Sequence, residues 1–119
     1  MARPGEHMVR LVDGSEVSTY SEAWRRECEA RFVVGMPVLD QEAHLAAIGK
    51  KRGPAGELML RQDMAWLSLA PKAADVLKMP KAERVALYGR LAGQYGDALA
   101  SRMRAQVVRL YEASKAGAA

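Results

Sequence analysis

The sequence predicts a mainly α fold: a helical bundle of two related helical hairpins behind a small N-terminal β-hairpin. Three observations carry this. Apolar residues recur at three- and four-residue steps between Trp24 and Leu110, an Asp13-Gly14 turn stands ahead of them between short alternating runs, and Met-Pro and Gly marks return after 43 residues. Half of the 119 residues are apolar, enough for one continuous core. The chain therefore reads as a disordered lead at 1–7 and a single helical domain at 8–119. Within that domain lie the β-hairpin at 8–18, a first helical half at 19–70 and a second at 71–115.

Met8-Val-Arg-Leu-Val12 and Ser15-Glu-Val-Ser-Thr19 flank Asp13-Gly14, a dipeptide that tolerates the positive φ of a type I′ turn. A lone hairpin is marginal in water, so Val9, Leu11 and Val17 are expected to lie against helices. Thr19 and Glu22 have capping-box spacing, with Ser21 a rival N-cap, and the helix that follows carries a Trp24, Cys28, Phe32 stripe up to Gly35. Met36-Pro37 opens the next helix, with Val38, Leu45 and Ile48 on its buried side. Lys50, Lys51 and Arg52 complement the negative end of its dipole, and Gly53-Pro54 stops it. The helix from Leu58 to Leu69 is apolar around most of its circumference, which suits a central or partner-covered position. Pro71 ends it, a short segment at 73–78 links the halves, and Met79-Pro80 opens a helix to about Tyr95. The last helix is expected to start from an Asp97 N-cap, bury Leu99, Met103, Val107 and Leu110, and fray from Lys115.

A shift of 43 residues places Ala30 on Ala73, Met36 on Met79, Pro37 on Pro80, Ala43 on Ala86, Gly53 on Gly96, Ala55 on Ala98 and Arg61 on Arg104. Ile48 falls on Leu91, Leu60 on Met103, Met64 on Val107 and Leu67 on Leu110. The register predicts a duplicated helical hairpin, closed as a bundle because stacked arrays generally need three or more copies.

The chemistry-bearing residues are few. Cys28 is the only cysteine, so no internal disulfide forms, and its place on the Trp24/Phe32 stripe predicts a buried thiol without an activating base. His7 and His44 have no partner at metal-ligand spacing and are expected in solvent. No catalytic residue, cofactor or metal is expected. Gly89, Gly93 and Gly96 do not form a dinucleotide or phosphate-loop fingerprint, and close helix packing is the expected reason for them. No apolar run is long enough to span a bilayer, so a cytoplasmic protein is expected. Eighteen Lys and Arg against fourteen Asp and Glu give a net charge of +4, a mild attraction to anions.

Two surfaces stand out. Arg25, Arg26 and Glu29, with Lys50, Lys51 and Arg52, form the candidate partner-binding face, which reads equally as a salt-laced helix exterior. Ser101, Arg102, Arg104 and Arg109 are the candidate nucleic-acid contacts, because Leu91-Ala92 followed by Gly96 and a new helix begins a helix-turn-helix pattern. That pattern fails at Arg102, where a buried β-branched residue is needed, and only weak non-specific nucleic-acid binding is expected.

The run Asp13-Gly-Ser-Glu-Val17, then Tyr20-Ser-Glu-Ala-Trp-Arg-Arg-Glu-Cys-Glu-Ala-Arg31, a Met-Pro and Arg52-Gly53 resembles a family of small phage and prophage proteins of high-GC proteobacteria, over residues 9–68. The chain departs from it in having Gln41 where a basic residue is expected, and in adding the second half. The resemblance supplies no activity, cofactor or functional residue; it implies a phage accessory product in the cytoplasm of a bacterial host. The expected function is non-catalytic binding to a host protein or complex, as an anti-CRISPR or other anti-defence inhibitor. The alternative is a nucleic-acid-binding accessory or regulatory protein. No membrane partner is expected, and a homodimer is left open.

Overall fold

A computed structural model describes residues 3–118 and gives a mainly helical fold with a small N-terminal antiparallel β-hairpin. The elements are β1 (Met8–Arg10), β2 (Glu16–Ser18), α1 (Glu22–Val34), α2 (Val38–Leu69), α3 (Ala73–Leu77), α4 (Lys81–Tyr95) and α5 (Asp97–Ala118), with a 3₁₀ turn at Ala70–Lys72. The chain divides into two compact units, one ending at Leu67 and the other beginning at Ser68.

In the first unit, β1 and β2 pair with Val9 opposite Val17. The turn is not type I′, because Gly14 (φ 89°) is its only residue with positive φ. Gly14 N–H donates to the Leu11 carbonyl and Leu11 N–H to that of Ser15, a three-residue loop with glycine in the left-handed position. Asp13 accepts from the Ser15 amide and hydroxyl and fixes the turn locally. Residues 3–7, expected as a lead, are tied to this hairpin: His7 N–H donates to Thr19 Oγ1, Ser18 Oγ to Glu6, and the Tyr20 hydroxyl to the Pro4 carbonyl. Residues 1 and 2 lie outside the described part.

Ser21, not Thr19, caps α1, accepting from the Trp24 amide at 3.2 Å. The expected stripe is overturned. Trp24 is half-buried, Cys28 is exposed and Phe32 is 66% exposed, whereas Glu27, Ala30 and Val33 form the inner face. Glu27 is buried at no net loss of partners: it accepts from the Val12 amide at 2.8 Å and from Arg31 at 3.1 Å, fastening hairpin to helix. The core of this unit is Ala30, Val33, Leu45, Ile48 and Leu60, with Met36, Met64 and Leu67 at its edge. Val38, expected inside, is 71% exposed, and Leu58 and Met59 also face solvent.

Helix α2 is broken at Gly53 (φ 81°, ψ 174°), an extended conformation with positive φ that essentially only glycine adopts. The stop expected there is thus a sharp bend between two helical arms. In the second unit Gly96 (φ 95°, ψ 164°) separates α4 from α5 in the same way. Asp97 lies in the first turn of α5 and not ahead of it, and the helix continues past Lys115 to Ala118. Leu99, Met103 and Val107 are buried as expected, and Leu110 is half-buried.

The 43-residue register extends to hydrogen bonds. Met36 N–H donates to Val33 and Met79 N–H to Val76; Gln41 N–H donates to Pro37 and Arg84 N–H to Pro80. The side chains at Gln41 and Arg84 repeat one another: Gln41 Nε2 donates to the carbonyls of Val34 and Met36, Arg84 Nη1 to those of Leu77 and Met79. Buried positions coincide at Ala30/Ala73, Val33/Val76, Leu45/Tyr88, Ile48/Leu91, Leu60/Met103 and Asp63/Gln106. The basic residue expected at Gln41 thus stands at its equivalent, Arg84, where it closes the preceding turn's orphan carbonyls.

Candidate functional site

In the first unit the charged residues are largely consumed by one another. Arg26 Nε and Nη2 donate to Asp63 at 3.0 and 2.7 Å, and Arg52 Nη1 and Nη2 to Glu29 at 2.9 and 2.8 Å. These bidentate pairs tie α1 to α2 on both sides of the Gly53 bend. Arg25 binds Glu22 one turn back on α1. Arg52 holds the Glu29 carboxyl below its ordinary range, and Arg25 does the same for Glu22. Arg25, Arg26, Glu29 and Arg52 meet around a groove of about 170 Å³ that Met59 and Asp63 also line. Lys50 lines a different groove, with Pro54 and Leu58, and Lys51 is exposed. The six-residue face is thus split: Arg26, Glu29 and Arg52 serve in clamps between helices, while Arg25 pairs within α1.

On α5, Ser101 and Arg104 step by three and Arg102 and Arg109 by seven, which puts the two pairs on different faces. Arg104 packs its guanidinium 4.9 Å from the centre of the Tyr88 ring. Arg102 is half-buried and Arg109 exposed. The four do not form one row able to follow a groove. The spacing at Gly89 and Gly93 has no packing reason, since both are exposed with open space where a Cβ would sit. His7 is exposed, with its Nδ1 against the Gly5 carbonyl; His44, expected in solvent, is half-buried and meets Phe32 edge-on at 6.3 Å. Among the described residues no group of three His, Cys, Asp or Glu side chains is placed to hold a metal ion, and no helix is long and apolar enough to cross a membrane.

A cleft of about 500 Å³ lies within the second unit, between α4 and α5, and Leu77 of α3 also lines it. Helix α4 lines it with Lys81, Arg84, Val85 and Tyr88, and α5 with Arg104, Val107, Val108 and Tyr111. Each set has i, i+3, i+4, i+7 spacing, so each helix offers two turns of one face. Val85, Val108 and Tyr111 are 59%, 51% and 50% exposed. Among the described residues, three cations and no carboxylate line the cleft. Residues 68–119 hold nine Lys and Arg against four Asp and Glu, whereas residues 1–67 hold nine against ten, so the net positive charge resides in the second half. Sequence reasoning missed this cleft because Val107 and its neighbours read as core. The signal was present in the matching spacing of the two helices.

Neither curated proteins nor solved structures give a match to the chain. Residues 17–70, spanning β2, α1 and α2, are similar to a family of unknown function, DUF7696.

Proposed function

We propose that the chain is a non-catalytic protein-binding module, and that its partner is a host protein or complex in the cytoplasm of a phage-infected bacterium. The observation that supports this best is the open α4–α5 cleft, which leaves three large apolar side chains about half exposed at a concave surface. Contiguous exposed apolar surface with a polar rim is the signature of a contact site. With the resemblance to phage-encoded proteins, an inhibitor of host defence of the anti-CRISPR kind is the concrete form of the proposal. Affinity capture from infected host lysate, followed by mass spectrometry, is expected to return a stoichiometric protein partner that survives nuclease treatment.

A nucleic-acid-binding role is the second reading, favoured by the excess of cations in residues 68–119. It is tested by titrating labelled duplex and single-stranded DNA at two salt concentrations. The protein-binding reading expects only weak binding, with dissociation constants of ~10⁻⁴ to 10⁻⁶ M, no sequence preference and an affinity that falls steeply with salt. Sub-micromolar, sequence-dependent binding near physiological salt overturns it.

A further inference from the structure

The internal repeat supplies a template for what the α4–α5 cleft recognises. In the first copy Arg61 is held by Glu42, whose carboxylate lies 3.1 Å from Nη2, and by Glu57 at 3.2 Å. Forty-three residues on, Arg104 takes the place of Arg61, but Val85 takes the place of Glu42 and Ala100 that of Glu57. Both carboxylates are gone and the arginine is kept. Lys81 meanwhile replaces Val38, adding a second cation at the same rim.

We infer that the cleft binds an acidic amphipathic α-helix of a protein partner, one carboxylate of which pairs with Arg104 as Glu42 pairs with Arg61. This rests on the protein-binding reading and names the chemistry of its partner. The cleft walls are two turns of helix each, about 10 Å long, which matches a rod laid in a groove with anchors at i, i+3, i+4 and i+7. A small ligand fits less well, because binding pockets enclose most of their ligand and these walls stand half open. Arg84 is engaged with the Leu77 and Met79 carbonyls, so Arg104 and Lys81 carry the charge complementarity.

The test uses the full chain and three fluorescein-labelled designed peptides of 18 residues: an acidic amphipathic helix, its Lys-for-Glu counterpart, and a scramble of the acidic one. Anisotropy is expected to show saturable binding of the acidic helix and at least tenfold weaker binding of the other two. Amide shifts in labelled protein should cluster on α4 and α5. Val85→Glu restores the first copy's carboxylate at an exposed position and should weaken binding at least tenfold, as should Arg104→Glu; circular dichroism checks that both remain folded. Absence of saturable binding, equal binding of the basic peptide, or indifference to both substitutions overturns the proposal. So does self-association that Val85→Glu abolishes, which would make a second copy the occupant. A host protein captured equally by the parent and by Val85→Glu would overturn the cleft assignment while leaving the protein-binding reading standing.

Discussion

Arg26 and Asp63, 37 residues apart, form a bidentate pair with Asp63 only 7% exposed and Arg26 one-third exposed. The pair spans from α1 to the far arm of α2, so it fixes where that arm returns after the bend at Gly53. Removing the arginine takes the bidentate partner from a buried carboxylate, and breaking a buried ion pair from one side typically costs about 3 to 5 kcal/mol. Arg26→Ala should therefore lower the urea midpoint strongly. Arg25→Ala, which breaks a solvent-exposed pair with Glu22, should cost less than about 1 kcal/mol. Equal losses in the two variants would refute the clamp.

The two tryptophans are separated by their burial. Trp66 is 1% exposed and among the largest fully buried side chains, whereas Trp24 is half-buried. Trp66→Ala should cost about 3 to 5 kcal/mol through the cavity it leaves. Trp24→Ala should cost clearly less, and its fluorescence should be the more readily quenched by acrylamide in the native protein.

Cys28 lies on the outer side of α1. A thiol-specific reagent should label it in the native state at a rate close to that in denaturant, and Cys28→Ser should change stability by less than about 0.5 kcal/mol, as surface substitutions generally do. Labelling slowed by orders of magnitude in the native state would return the thiol to the core.

That error in placing Cys28 marks where the sequence stops being legible. Trp24, Cys28 and Phe32 outweigh Glu27, Ala30 and Val33 in hydrophobicity, yet the second set packs. A fully buried Ala30 lets backbones approach closely, and Glu27 and Asp63 are admitted to the interior because the Val12 amide, Arg31 and Arg26 satisfy them. Such partners are set by tertiary contact and leave no trace in periodicity. The breaks at Gly53 and Gly96 were legible because backbone rules act locally, and the 43-residue register was legible because those breaks anchor it. The cleft was not, since an apolar residue facing a groove and one facing a core have the same helical spacing.

Acid should loosen the first unit. Arg52 depresses the Glu29 carboxyl below its ordinary value of 4.5, so the charged form is favoured in the folded state. Stabilisation from this pair is fully present above the unfolded value and is lost as pH falls through the folded one. Melting temperature should hold near neutrality and decline from about pH 4.5 downward. In Glu29→Gln the parent should lose its advantage progressively over that window, the two curves converging at the acid end. Curves that stay parallel there would show that the pair contributes nothing through ionisation.

Gly53 and Gly96 test the repeat itself. Each joins two helices with φ near +80 to +95° and ψ close to extended, a region where an L side chain is strained by about 1 to 3 kcal/mol. Space is not the obstacle at Gly53, since a Cβ there would meet nothing within 4 Å. The cost of Gly53→Ala is therefore conformational. If the two bends are equivalent devices, Gly53→Ala and Gly96→Ala should be destabilising by similar amounts. Gly89→Ala, in the middle of α4 with open space where a Cβ would sit, should instead stabilise by about 0.5 to 1 kcal/mol, because alanine loses less backbone freedom on folding. Denaturant titrations of the three variants separate the outcomes by sign. A neutral Gly96→Ala beside a destabilised Gly53→Ala would mean that the second bend is not held in the conformation of the first, and the two hairpins would no longer share one design.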